Sequence, residues 1–194
     1  MLRKVCVFCG SNTGTQPVYM QAAQEMGRLL AERRIGLVYG GANRGLMGAL
    51  ADACLESGGN VVGVMPSALV DQEIAHRRLT KLYTVGSMHE RKALMADLAD
   101  AFIALPGGYG TWEEFFEVLT WSQLGLHRKA CALLNLEGYY DGLLGMADRA
   151  VKEGFLNVPH RELVIADADP VRLLERLSDY IVPVTDKWID AVSR

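Results

Sequence analysis

Two acidic and two basic side chains stand out by their positions. Glu113 and Glu114 close the stretch Pro106-Gly107-Gly108-Tyr109-Gly110-Thr111-Trp112-Glu113-Glu114, and Arg91-Lys92 follow Ser87-Met88-His89-Glu90. The glycines let the backbone take positive φ and come close to a ligand. A helix starting there would aim unpaired N–H groups and the positive end of its dipole into the loop. That is chemistry for an anion, and a phosphate fits best. The spacing of Thr111 and Glu114 also fits a capping box, in which both side chains only satisfy backbone N–H groups. Ser87 and Glu90 have that spacing as well. Arg91 and Lys92 then fall in the first turns of a helix, where cations oppose the dipole by roughly 0.3–1 kcal/mol each. An anionic partner, Glu114 or a ligand phosphate, removes the conflict. Lys92 alone reads as a solvated cation, whereas Arg91 reads as functional.

Positioning these groups takes strands and helices in alternation. Ala101–Leu105 is a short apolar run of buried-strand length, and Phe115, Phe116, Val118, Leu119 and Leu124 recur at helical spacing behind the glycine loop. Strands are also expected at Val5–Phe8, Ile35–Tyr39, Val61–Met65, Leu79–Val85, Cys131–Leu134 and Leu163–Ala166. Helices are expected after Pro17, over Leu46–Leu55, Ser87–Leu98, Trp112–Leu124 and Tyr139–Lys152, and from Asp169-Pro170 to about Tyr180. Ser67–Arg78 reads as a polar connector. Apolar strands alternating with helices call for a mostly parallel, doubly wound sheet of about seven strands with helices on both faces. Ligands bind such sheets beyond the carboxyl ends of the strands. Gly10-Ser11, Gly40-Gly41, Pro66, Gly86-Ser87 and Pro106–Gly110 all fall at such ends, so they should share one rim. Ser11, Gly41, Met88 and Gly107 are site candidates on that ground.

The 194 residues suit one domain with a substantial core; the pattern after Pro183 is poorly determined. A net charge of −3 gives no footprint for nucleic acid. The apolar runs are too short for a membrane span or a signal peptide, which points to the cytoplasm. Cys6-x-x-Cys9 resembles a redox or metal motif, yet on a strand positions three apart face opposite ways and no second pair completes a zinc site. Cys6, Cys9, Cys54 and Cys131 therefore read as buried apolar thiols. Gly40-Gly41-Ala42-Asn43-Arg44-Gly45 fails the dinucleotide fingerprint, with Ala at position 42 and no acid at the end of the next strand; no Walker Lys-Ser/Thr follows either.

Cys9-Gly10-Ser11, Tyr39-Gly40-Gly41, Gly45-Leu46-Met47-Gly48, Met88–Lys92 and Pro106–Thr111 with Glu114 together resemble the LOG (Lonely Guy) family. Its members are cytokinin riboside 5′-monophosphate phosphoribohydrolases, long mislabelled lysine decarboxylases. The likeness runs from Val5 to about Phe155 and includes Trp121-x-Gln123-Leu124-Gly125 and Asn135 to Tyr140. Ala42 departs from it, where the family usually has glycine. The resemblance implies a Rossmann-like homodimer that hydrolyses the N-glycosidic bond of a nucleoside 5′-monophosphate without metal or organic cofactor. It implies Arg91 and Glu114 as the catalytic pair. Lys92, Gly108, Tyr109, Gly110, Thr111, Trp112 and Glu113 would line the substrate site, with Glu73 and Thr120 placed there by spacing alone. A phospho-ligand sensor using the same loop without chemistry is the alternative. Lysine decarboxylation with pyridoxal phosphate would need a Schiff-base lysine, and only Lys92 sits near the rim. The expected helix over Trp112–Leu124 is apolar on more than one face, a pattern that fits a subunit interface and a deeply buried helix equally.

Overall fold

The computed structural model describes residues 2–70, 75–181 and 183. Seven strands form one sheet: β1 (Lys4–Phe8), β2 (Gly36–Tyr39), β3 (Val61–Pro66), β4 (Lys81–Val85), β5 (Ala101–Ala104), β6 (Ala130–Leu134) and β7 (Val164–Asp167). Their order is β4-β3-β2-β1-β5-β6-β7, and every pairing is parallel. The helices between them are α1 (Pro17–Glu32), α2 (Gly45–Glu56), α3 (Ser67–Val70), α4 (Met88–Leu98), α5 (Tyr109–Gln123), α6 (Asp141–Lys152), α7 (Val158–Arg161) and α8 (Pro170–Ser178).

From β3 across to β6 both faces of the sheet are dry, which is why those strands read as unbroken apolar runs rather than alternating ones, while the edge strand β4 is half-exposed. The period of two sends Val5, Val7 and Cys9 into a core shared with α1, α2 and α8. It sends Cys6 and Phe8 into the other core, with Met95 of α4 and Phe115 and Val118 of α5. Cys6 and Cys9 thus lie on opposite sides of the sheet, and all four cysteines are free and buried, as the strand periodicity requires.

From β1 the chain winds outward through β2 and β3 to β4, then returns along α4 to β5 on the other side of β1. The switch in winding direction lies between β1 and β5, and an open sheet forms its ligand crevice at such a point. Backbone pairing continues past the strand ends there, with Leu105 N–H donating to the Phe8 carbonyl (2.9 Å) and Gly10 N–H to the Pro106 carbonyl (3.1 Å). The two loops are thereby held side by side.

Three details differ from the sequence reading. α5 begins at Tyr109, inside the glycine loop, three residues before the expected start. Apolar periodicity could not see this turn, because Gly108-Tyr109-Gly110 presents no apolar stripe. Ser67–Val70, expected as part of a polar connector, is the short helix α3, and Val158–Arg161 forms α7 behind an Asn157 N-cap with proline in its first turn. Glu73, placed at the site by spacing, and the tail after Pro183 lie outside the described residues.

Candidate active site

Arg91 and Glu114 meet. The Arg91 Nη2 to Glu114 Oε1 distance is 3.3 Å, and each side chain is only 12% exposed. Arg91 reaches there from the second turn of α4, whose N-cap is Ser87. The Ser87 hydroxyl accepts from Glu90 N–H (3.1 Å), and the Glu90 carboxylate accepts from Gly86 N–H (2.8 Å). The Ser87/Glu90 cap therefore forms, with the return bond displaced by one residue. The Thr111/Glu114 cap does not. Gly108 is the N-cap of α5, no side chain caps it, and Thr111 lies inside the first turn, leaving the Glu114 carboxylate to Arg91.

Two glycines are required by close approach. A Cβ on Gly40 would overlap the Arg91 guanidinium, and one on Gly107 would overlap the Thr111 hydroxyl. The first clears a seat for the cation at the end of β2. The second lets the loop fold down onto buried Thr111 at the start of α5.

Burial pushes the Glu114 carboxyl above the ordinary glutamate range, and the nearby Arg91 charge offsets this only in part. Removing water disfavours the ionised form, while an opposite charge favours it. The result is a carboxyl able to hold or release a proton closer to neutrality than a surface glutamate can. The guanidinium is itself only partly satisfied. Its Nη1 points at Met88 Sδ (3.7 Å), and its buried Nε has no protein partner among the described residues.

The pair opens onto a cavity of about 520 Å³, within the size range of small-molecule sites. Of the residues singled out in the sequence, Ser11, Met88, Arg91, Gly107, Gly108, Tyr109, Gly110, Thr111, Glu113 and Glu114 line it. Gly41, Lys92, Trp112 and Thr120 do not. Gly41, at φ +81°, packs on β3 and accepts from His76 N–H (2.8 Å). Lys92 is buried on the far side of Glu113, pairing with Glu113 and with Glu117 (3.1 Å). Burial opposes the Lys92 charge, but hydrogen bonds to the two carboxylates outweigh it and raise its pKa. The sequence suggested a solvated cation; the lysine is instead sequestered, because α4 and α5 lie close enough for it to bridge them. Trp112 stands edge-on to the Tyr109 ring (5.4 Å between centroids) on the outer side of α5. The Thr120 hydroxyl donates back to the Phe116 carbonyl (2.7 Å).

The glycine loop is braced by residues the sequence reading did not single out for the site. The Tyr139 hydroxyl donates to the Gly107 carbonyl, and that of Tyr140 to the Leu105 carbonyl (2.7 Å). The Asn135 side chain holds this segment by accepting from Tyr140 N–H (2.7 Å) and donating to Asp141 (2.8 Å). Tyr139 and Tyr19 stand edge to face at 6.0 Å, and both line the cavity with Asn12. Asn135 and Tyr139 follow the carboxyl end of β6, on the same rim as the other strand ends, and both fall in the Asn135–Tyr140 stretch of the family likeness.

The family model described as "Possible lysine decarboxylase" matches residues 47–177. A rice protein (Oryza sativa subsp. japonica) named "Probable cytokinin riboside 5'-monophosphate phosphoribohydrolase LOGL9" is 49% identical over 179 residues, which cover 92% of this chain and 79% of that protein. An Arabidopsis thaliana cytokinin riboside 5'-monophosphate phosphoribohydrolase is 48% identical, over 92% of this chain and 82% of its own length. Among solved structures, the molybdenum cofactor binding protein of Rippkaea orientalis superposes with a TM-score of 0.69 at 21% identity, covering 92% of this chain and 97% of that one. The molybdenum cofactor carrier protein of Chlamydomonas reinhardtii does so with the same score at 20% identity, over 93% and 100%. At that identity the two structures speak for the fold, which is Rossmann-like. Sequence identity near one half, sustained over most of the length of both chains, speaks for more: this chain belongs to the LOG (Lonely Guy) family.

Proposed function

We propose that this protein hydrolyses the N-glycosidic bond of a nucleoside 5′-monophosphate of the cytokinin riboside type, releasing the base and ribose 5-phosphate. The relatives that span most of its length are named for that activity. The observation that carries the reading is the buried Arg91–Glu114 pair, facing a cavity whose other wall is an uncapped helix start.

In the reaction, the bond from C1′ to the base nitrogen breaks and positive charge spreads over C1′ and O4′. Glu114, ionised, stabilises that charge and takes a proton from the water that attacks C1′. The new C1′–O bond completes ribose 5-phosphate, and the proton leaves with the base. Arg91 holds the carboxylate in place and stabilises negative charge developing on the departing base. The backbone N–H groups of Gly108 to Thr111 hold the 5′-phosphate, whose remote binding energy fixes the ribose over the pair. Tyr139 and Tyr140 keep that loop from relaxing between turnovers.

The family model's description as a lysine decarboxylase has no support in the cavity. No lysine among the described residues lines it, and Lys92 is held by two carboxylates outside it.

We further propose that the protein works as a homodimer. Trp112 and Phe116, four residues apart on α5, are 37% and 46% exposed, and the exposed Tyr109 ring stands against Trp112. A second copy would cover this face. Four free, buried thiols favour a reducing compartment such as the cytoplasm.

Incubating the protein with AMP and with an N6-alkenylated AMP, then assaying free base and ribose 5-phosphate, tests the reading. Stoichiometric release of both products is expected. Tight binding with no release from either nucleotide would leave a sensor rather than an enzyme.

A further inference from the structure

A separate cavity of about 430 Å³ lies at the opposite end of the sheet, among the amino ends of β1 to β4. Lys4 borders it, and Cys9 borders the first cavity. Five residues of strand set these two ~16 Å apart, so no step of the hydrolysis above reaches this end. Four cations line it: Arg3 and Lys4 at the start of β1, Arg34 just after α1, and Lys81 at the head of β4. Among the described residues no aspartate or glutamate lines it, and none of the four cations has a carboxylate partner. The Asp100 carboxylate accepts instead from the backbone N–H groups of Arg3 (2.8 Å) and Lys4 (2.9 Å), which fixes the start of β1. In a chain of net charge −3, such a collection of one sign is not an effect of composition.

The fold sets the placement. Val62 packs with Met95 of α4 in one core, and Lys81 is its register partner on β4. Lys4 precedes Cys6 of the same core by two residues, so the strand period turns Lys4, Val62 and Lys81 to one face. Lys81 Nζ stands 4.2 Å over the Tyr83 ring, a cation–π contact that holds the ammonium at the cavity wall. Arg34 ends α1 at φ +58°, a left-handed conformation in which glycine is the usual residue. Val62 and Leu98, the latter in the last turn of α4, add apolar lining.

Four like charges around one small cavity repel one another, and an anionic ligand relieves that repulsion. A single phosphate carries at most about two negative charges, half of what the lining offers. A chain of two or three phosphates matches it. Guanidinium groups take phosphate oxygens in pairs, and ammonium groups serve as point charges beside them. We propose that this cavity binds a small molecule carrying a di- or triphosphate, either inorganic or as the phosphate chain of a nucleotide. The site is distinct from the one that takes the monophosphate, and it stands or falls independently of the hydrolase reading.

Calorimetry on the whole protein with tripolyphosphate, ATP and inorganic phosphate tests this, at about 0.1 M salt, where charges more than ~10 Å away are screened. The wild type is compared with Arg34→Gln/Lys81→Gln, in which both altered residues are exposed. A control, Arg149→Gln/Lys152→Gln, removes the same charge from exposed positions on α6, outside the cavity. One tripolyphosphate or one ATP per chain is expected at the cavity, bound at least about tenfold more tightly than inorganic phosphate. A hydrogen bond to a charged group is worth about tenfold or more, so the cavity variant should bind about 100-fold more weakly and the control as the wild type does. Equal affinities for ATP and tripolyphosphate would mean that the phosphate chain alone is recognised, and tighter ATP would add a contact to the nucleoside. Should circular dichroism show the double variant unfolded, Lys81→Gln alone, with about a tenfold loss, takes its place. No saturable binding of either compound would overturn the proposal. So would an affinity that the cavity variant leaves unchanged, which would put the phosphate chain on the glycine loop, or one that the control weakens equally.

Discussion

Replacing Glu114 by glutamine isolates the charge from the shape. The amide keeps an oxygen where Glu114 Oε1 now faces Arg91 Nη2 at 3.3 Å, so the guanidinium retains an acceptor. What is lost is the negative charge facing the oxocarbenium-like sugar and the ability to take a proton from water. An ionised carboxylate about 4 Å from a developing cation, at an effective dielectric constant of ~20, contributes about 4 kcal/mol. At 1.36 kcal/mol per tenfold, that is about 10³ in rate. General-base catalysis gives a separate scale of about 10²–10⁴, so a loss of about 10³ in kcat is expected. Nucleotide affinity by calorimetry should change little, because the phosphate is held by the loop. Ribose 5-phosphate release at saturating nucleotide is the assay. A variant that folds, binds and keeps kcat within tenfold of wild type would remove Glu114 from the chemistry.

The pH dependence gives a second readout of the same residue. Burial raises the Glu114 carboxyl above its ordinary value, and the ionised form is the active one. Wild-type kcat/KM should therefore fall on acidification at a pH above the ordinary glutamate range, and this limb should vanish in Glu114→Gln. The sign for stability is opposite. A carboxyl whose folded pKa exceeds its unfolded one contributes stability below the unfolded value, and loses it as pH rises through the folded value. The enzyme is thus expected to be active where this group slightly weakens the fold.

Gly40→Ala places a methyl group where the Arg91 guanidinium lies; with the fold retained by circular dichroism, kcat should drop by about 10²-fold, the scale of a misplacement of about 1 Å. Lys92→Met leaves Glu113 and Glu117 without their shared cation. Because Glu113 is 55% exposed, the cost should be about 2 kcal/mol, below the roughly 3–5 kcal/mol of a fully buried broken pair; urea titration would show it, and an unmoved midpoint would mean that the cluster contributes nothing. Phe116→Lys puts a charge on the exposed face of α5, and sedimentation should show dimer giving way to monomer; an unchanged mass would place the subunit contact elsewhere.

Much of this molecule is legible in its sequence. The apolar runs of Val5–Phe8 and Ala101–Ala104 have buried-strand length and composition, and both fold as central parallel strands. Ser87 and Glu90 announce the start of α4 and deliver it. Thr111 and Glu114 announce a cap of the same pattern that does not form. Sequence spacing is identical in the two cases, but α5 starts at Tyr109, which puts Thr111 inside the first turn and leaves Glu114 to Arg91. Lys92 shows the same limit from the other side. Its neighbour Arg91 points into the cavity while Lys92 turns to Glu113 and Glu117, a choice made by the packing of α4 against α5.

The residue order alone carries the alternation of strand and helix, the rim on which strand ends collect, and the motifs that mark family and phosphate loop. All are local, resting on periodicity, turn chemistry and short spacings. Tertiary structure decides that residues 23 positions apart share one largely buried charge pair, that Gly40 clears space for a guanidinium carried by α4, and that Ala42, Met65 and Leu69 surround one cavity. Those facts depend on strand order across the sheet, which arises from long-range burial that no local spacing encodes.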